Sequence, residues 1–123
     1  MRMTAGRVFD AFHTLEAVKN RPMPIKAAFR LSLMRAKLAP TFDAIADRRN
    51  ALILAYDYRN SQGNVCVPPW CMEEFNAAWA EIASEEIEVE AEPISVAAFE
   101  TNERENGALT VADFAALGEL VVE

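Results

Sequence analysis

Residues 24–58 read PIKAAFRLSLMRAKLAPTFDAIADRRNALILAYDY, and no other stretch restricts the fold as much. Leu31, Met34, Leu38, Phe42, Ile45, Leu52 and Tyr56 recur at helical spacing along one stripe, which only Arg49 interrupts. The stripe predicts a long helix, with the rest of the chain packed around it. Pro40 is its one defect. A proline removes an amide donor, clashes with the carbonyl of Ala36 and biases Ala39 away from helical angles. The spacing nevertheless runs through Pro40 in register, from Leu38 to Phe42 to Ile45, which favours one kinked helix over two separate ones. A straight helix of this stretch would be roughly 50 Å long at about 1.5 Å per residue. A domain of this chain length has a diameter of roughly 35 Å. Either the helix bends at Pro40, or the subunit is elongated and covers the excess stripe with another copy of itself.

The 123 residues, 52% hydrophobic and 25% charged, suit a single domain over 1–123 with a modest core. The first twenty residues lack the apolar core and cleavage site of a signal peptide. The longest apolar run, residues 51–56, is far too short to cross a membrane. The expectation is therefore an intracellular protein with no membrane partner. Cys66 and Cys71, in VCVPPWC, lack the second ligand pair of a structural zinc site and read as reduced thiols.

The net charge of −7 conceals an uneven distribution. Residues 1–60 carry eleven Lys and Arg against five acids, giving +6; residues 61–123 carry only Arg104 against fourteen acids, giving −13. Opposite halves invite pairing, within one subunit or between copies; the milder alternative is solvated faces with weak surface ion pairs.

Ahead of the long helix, Thr4 is placed to cap a helix over residues 5–19, on which Val8, Phe9, Phe12, Leu15 and Val18 share a face. Residues 20–24, with two prolines, end it. So short a connection makes the two helices an antiparallel hairpin. His13 falls near the edge of its stripe and reads as a helix-surface histidine beside Asp10 and Glu16. Residues 59–70 form a loop. A third helix should run from residue 69 or 70 to 84, with Glu73 and Glu74 in its first turn and Trp70 and Trp79 in the core.

From Glu86 to Glu92 acids alternate with Ile87, Val89 and Ala91, the pattern of a half-buried strand with one acidic face. Residues 94–99 are an extension of it past a bulge, or a separate short strand. Residues 101–107 are a polar loop with the Asn106-Gly107 turn signal. A terminal helix over residues 111–120, with Thr110 as cap and Asp113 in the capping position, should pack Phe114, Leu117 and Val121, with Gly118 weakening its end. The strand needs partners, and residues 1–3 and 108–109 are the candidates. The fold class is mainly α with a small β element.

No residue constellation specifies a chemistry. A phosphate loop, a dinucleotide fingerprint, a nucleophile elbow and a zinc-protease motif are all missing. The expectation is a non-enzyme without cofactors. Lys26, Arg30 and Lys37 recur along the long helix, but no groove-reading motif accompanies them, so nucleic acid is disfavoured as a partner.

The order of features resembles a family of short, uncharacterised proteins of tailed bacteriophages and prophages, classed as a domain of unknown function. The similar parts are the Met-x-x-Thr start, PIKAA, RRNALILAY, EFNAAWAEI, EIEVE and LTVADFAAL. Pro40 and the VCVPPWC loop depart from the pattern. The resemblance implies a phage origin and a location in the host cytoplasm or in the virion. It supplies no activity.

Two functions compete. One is a phage structural or assembly protein that contacts itself or a tail or capsid component. The other is a small acidic inhibitor whose glutamates mimic phosphates to a host protein. The long helix, the unpaired strand and the opposite halves together favour self-association. In that reading the acidic strand face, Glu86, Glu88 and Glu90, meets Lys26 and Arg30 of another copy.

Overall fold

Helix α1, Ala5–Val18, begins where Thr4 turns extended and its side chain accepts a hydrogen bond from the Arg7 amide at 3.2 Å, the expected cap. The computed structural model describes residues 1–95 and 111–122. After a short connection, α2 runs unbroken from Ile25 to Leu54 through Pro40. Pro40 lies exposed while Leu38 and Ile45 on either side are buried. Burial of both flanks holds the helical path across the missing hydrogen bond. Phe9 and Phe12 of α1 stack on Phe42, and Glu16 bonds Arg35 at 2.7 Å. Later residues of α1 thus meet earlier residues of α2, which makes the pair the expected antiparallel hairpin.

A 3-10 turn over Pro69–Cys71 leads into α3, Met72–Ala83. Its Phe75 and Trp79 rings lie beside Arg49 of α2, and Trp79 also meets Phe9 of α1 edge-on. Gly6 allows the close approach of α1 to the end of α3: a Cβ there would sit 3.0 Å from that of Ala83. Helix α4, Val111–Leu117, followed by a 3-10 turn over Gly118–Leu120, lies against α1. It is held by the Arg21–Asp113 ion pair and by Arg7, which bonds the Ala116 carbonyl at 3.2 Å and Glu119 at 3.1 Å.

The described strands are short, and each is paired. β1, Arg2–Thr4, runs antiparallel to β2, Glu86–Glu88, with Met3 opposite Ile87. β3, Ile94–Ser95, runs parallel to β4, Val121–Val122.

The class is as expected, mainly α with a small β element. Several particulars differ. The long helix stops at Leu54, short of Tyr56 and Tyr58. The acidic strand ends at Glu88, not Glu92, although the Val89 amide still donates to the Met1 carbonyl. The terminal helix ends at Leu117, where Gly118 takes a left-handed φ of 53°, and Val121 belongs to a strand. Trp70 is 75% exposed instead of in the core, because it sits in the 3-10 turn, out of register with α3. The strand lacks no partner, which removes one of the three grounds for self-association. The expectations for residues 96–99, 101–107, 108–109 and Thr110 lie outside the described residues.

The hub is α1, not α2. Six of its fourteen residues are buried, against five of thirty in α2, because α1 is covered by α2, α3 and α4.

Candidate protein interface

The buried residues of the first half of α2, Ala27, Leu31, Met34 and Leu38, occupy one face. At about 100° per residue, Ile25, Phe29 and Leu33 form a second row well away from it. That row is uncovered: Ile25 is 84% exposed, Phe29 62% and Leu33 50%. Three large apolar side chains one turn apart make a ridge of the kind that marks a contact surface on soluble proteins. Lys26, Arg30 and Lys37 stand between the ridge and the buried face.

Beside the ridge lies an open groove of about 610 Å³. Phe29, Leu33, Met34, Pro93 and Ile94 give it an apolar floor; Lys26, Arg30 and Lys37 line the α2 side and Glu90 and Glu92 the other. The side chain of Ile94 is buried, so β3 fixes the far wall in place. Among the described residues, none of these three cations forms an ion pair. The groove thus offers apolar area with charge of both signs at its rim. Its polar side chains are amines, a guanidinium and carboxylates, with no nucleophile paired to a base.

Of the five residues expected at an interface, the structure brings three together. Lys26, Arg30 and Glu90 line this groove within one chain. Glu86 and Glu88 stand apart from it. Arg2 lies 3.2 Å from Glu86 and 3.7 Å from Glu88, and the Met1 amino group lies 2.9 Å from Glu88. The hydrogen bond from that amino group, ahead of its charge and that of Arg2, lowers the Glu88 carboxyl below its ordinary value. These two acids already pair across β1 and β2 within one chain, and their side chains remain largely exposed. Arg7–Glu119 and Arg21–Asp113 likewise join the basic half to the acidic half internally.

The ridge itself escaped the sequence reading. Its signal was present as the i, i+4, i+8 series Ile25, Phe29, Leu33, which makes the start of α2 apolar on two faces. A single apolar face is enough for packing on a core, so the second one points to another contact.

His13 is exposed and sets its ring edge-on to Phe9 and Phe42. Cys66 and Cys71 are half-buried free thiols. No described helix is long and apolar enough to cross a membrane. Compared with family models, curated proteins and solved structures, the chain matches none.

Proposed function

We propose that the protein is a non-enzymatic structural or assembly protein of a tailed phage. It acts through protein contacts made by the Ile25–Phe29–Leu33 ridge and its basic flank, in the host cytoplasm or within the virion. One observation carries the contact surface: three exposed large apolar residues on one helix row beside three cations with no ion-pair partner among the described residues. The phage setting rests on the sequence resemblance alone. The inhibitor alternative has less behind it: two glutamates of the acidic second half, Glu86 and Glu88, already hold Arg2 and the Met1 amino group.

Mass spectrometry of purified particles from cells that express the gene during infection tests the reading. The expected result is the protein in stoichiometric amount in the particle or in an assembly intermediate. Loss of particle formation with Phe29→Glu, in a variant that still folds, is expected alongside. Absence from particles and intermediates, together with recovery of a host protein bound to the acidic half, overturns it in favour of the inhibitor.

A further inference from the structure

A second exposed apolar patch lies at the other end of α2. Leu54 is 61% exposed in the last turn, and beyond it Trp70 and Met72 are 75% and 43% exposed. Local structure ties Trp70 to the segment that follows α2. The Cys66 amide donates to the Tyr58 carbonyl, Arg59 and Val65 form a bridge, and the Trp70 ring meets Tyr58 edge-on at 5.3 Å. The rim of this patch is acidic, whereas the α2 flank of the ridge is basic, with Glu90 and Glu92 across the groove. Asp57, Glu73 and Glu74 are exposed and form no ion pair among the described residues, and Arg59, also exposed, donates to the Gly63 carbonyl at 2.8 Å.

Each patch therefore has apolar area, and the α2 flank of the ridge differs in sign from the rim of the other patch. They are also different surfaces. A patch that meets its own copy forms a two-fold dimer, whereas a patch that meets a different patch leaves one free at each end and propagates into a ring or a filament. A second ridge would bring three cations and two acids, Glu90 and Glu92, against the same set, whereas the other patch offers Lys26, Arg30 and Lys37 the acids Asp57, Glu73 and Glu74.

We infer that copies of this chain associate head to tail, the basic ridge at the start of α2 in one copy seating on the acidic Trp70–Met72 patch at the end of α2 in the next. The occupant of the ridge is thus a second copy of the chain. This deepens the assembly reading above and rests on it. Since one thirty-residue helix links the two patches, the repeat is set by its length, about 45 Å.

The test uses two full-length variants, each with one patch disabled: Phe29→Glu with Leu33→Glu, and Trp70→Glu with Met72→Glu. All four side chains are exposed, and thermal unfolding by circular dichroism checks that each variant folds. Light scattering then reads the mass. Wild type is expected to form species that grow with concentration. Each variant alone is expected to remain at the 13.7 kDa of one chain. Mixed, they are expected to form a one-to-one dimer and nothing larger, since the mixture holds one intact patch of each kind. If the ridge variant is monomeric while the Trp70 variant still dimerises, the ridge pairs with itself and the head-to-tail contact is wrong, though self-association stands. If wild type stays a monomer up to millimolar concentration, the head-to-tail contact is also wrong, and the assembly reading then stands or falls on the particle measurement alone.

Charge reversal supplies a second route that leaves the apolar residues in place. Lys26→Glu with Arg30→Glu is expected to weaken association about tenfold or more, and adding Glu73→Lys with Glu74→Lys in the same chain to restore part of it. Failure of the second pair to restore any association overturns the proposed pairing.

Discussion

Arg49 carries its guanidinium carbon 5.4 to 5.7 Å from the ring centres of Phe9, Phe75 and Trp79, one ring from α1 and two from α3. Its Nε is buried and without a hydrogen-bond partner among the described residues, so the rings are what it meets. A flat cation stacks on such faces, whereas a compact ammonium does not reproduce the fit. Arg49→Lys is therefore expected to cost about 1 to 2 kcal/mol in urea unfolding, and a Lys variant as stable as wild type would show that the three rings do not read a planar group. The surface carboxyls act at the same scale. The hydrogen bond from Lys19 lowers the Glu16 carboxyl below its ordinary 4.5, with Arg35 adding to it. Glu119 is lowered by its own backbone amide first and then by Arg7. A carboxyl depressed in the folded state stabilises above its ordinary value, and the contribution is lost as pH falls through the lowered one. Stability is thus expected to decline as pH drops below about 4.5, with a shallower decline in Glu16→Gln, measured by urea midpoints from about pH 6 to about pH 3. An identical decline in the variant would remove Glu16 from the explanation.

Helix α2 keeps its hydrogen-bonded path through Pro40 because Leu38 and Ile45 are buried on either side. An interior proline costs about 3 kcal/mol, of which up to about 1 is offset by the stiffer unfolded chain. The Pro40 ring is exposed and little packing is lost with it. Pro40→Ala is accordingly expected to stabilise the protein by about 1 to 2 kcal/mol, seen as a higher thermal midpoint; a lower midpoint would mean that the proline shapes the path of α2 over α1. The three long helices were legible in the sequence because each presents apolar residues at three-and-four spacing against a core. Pairing of residues 1–3 with the acidic strand was also foreseen, from the need of a strand for a partner. β3 with β4 was not, since two residues carry no period. Trp70 misled because an aromatic looks like core at any spacing, and the 3-10 turn that moves it outward has no sequence signature of its own. Of the candidate site, Lys26, Arg30 and Glu90 were legible as charges; the ridge beside them was not, because periodicity scored the buried face and stopped there. The role of α1 as hub was hidden for a related reason. Amphipathicity records that a helix has an apolar face, not how many neighbours share it.

At the scale of the whole molecule, opposite charge serves two ends. Arg2, Arg7 and Arg21 use it to close the subunit, and Lys26, Arg30 and Lys37 leave it at the surface. The closing pairs have a consequence for synthesis. Arg2 with Glu86 and Arg7 with Glu119 are 84 and 112 residues apart, so a chain this rich in helix is fastened by contacts between its remote parts. Helix α1 leaves the ribosome well before residues 111–122, which cover one of its sides. At about 5 to 20 residues per second, that side of α1 waits for on the order of 5 to 20 s. A chain arrested on the ribosome after residue 95 is expected to bind a hydrophobic dye or a holding chaperone, and one in which residues 111–122 have also emerged is not. Equal binding by both would mean that α1 is already shielded before α4 exists. Arrival of α4, more than formation of the earlier helices, then sets the moment at which α1 is fully covered.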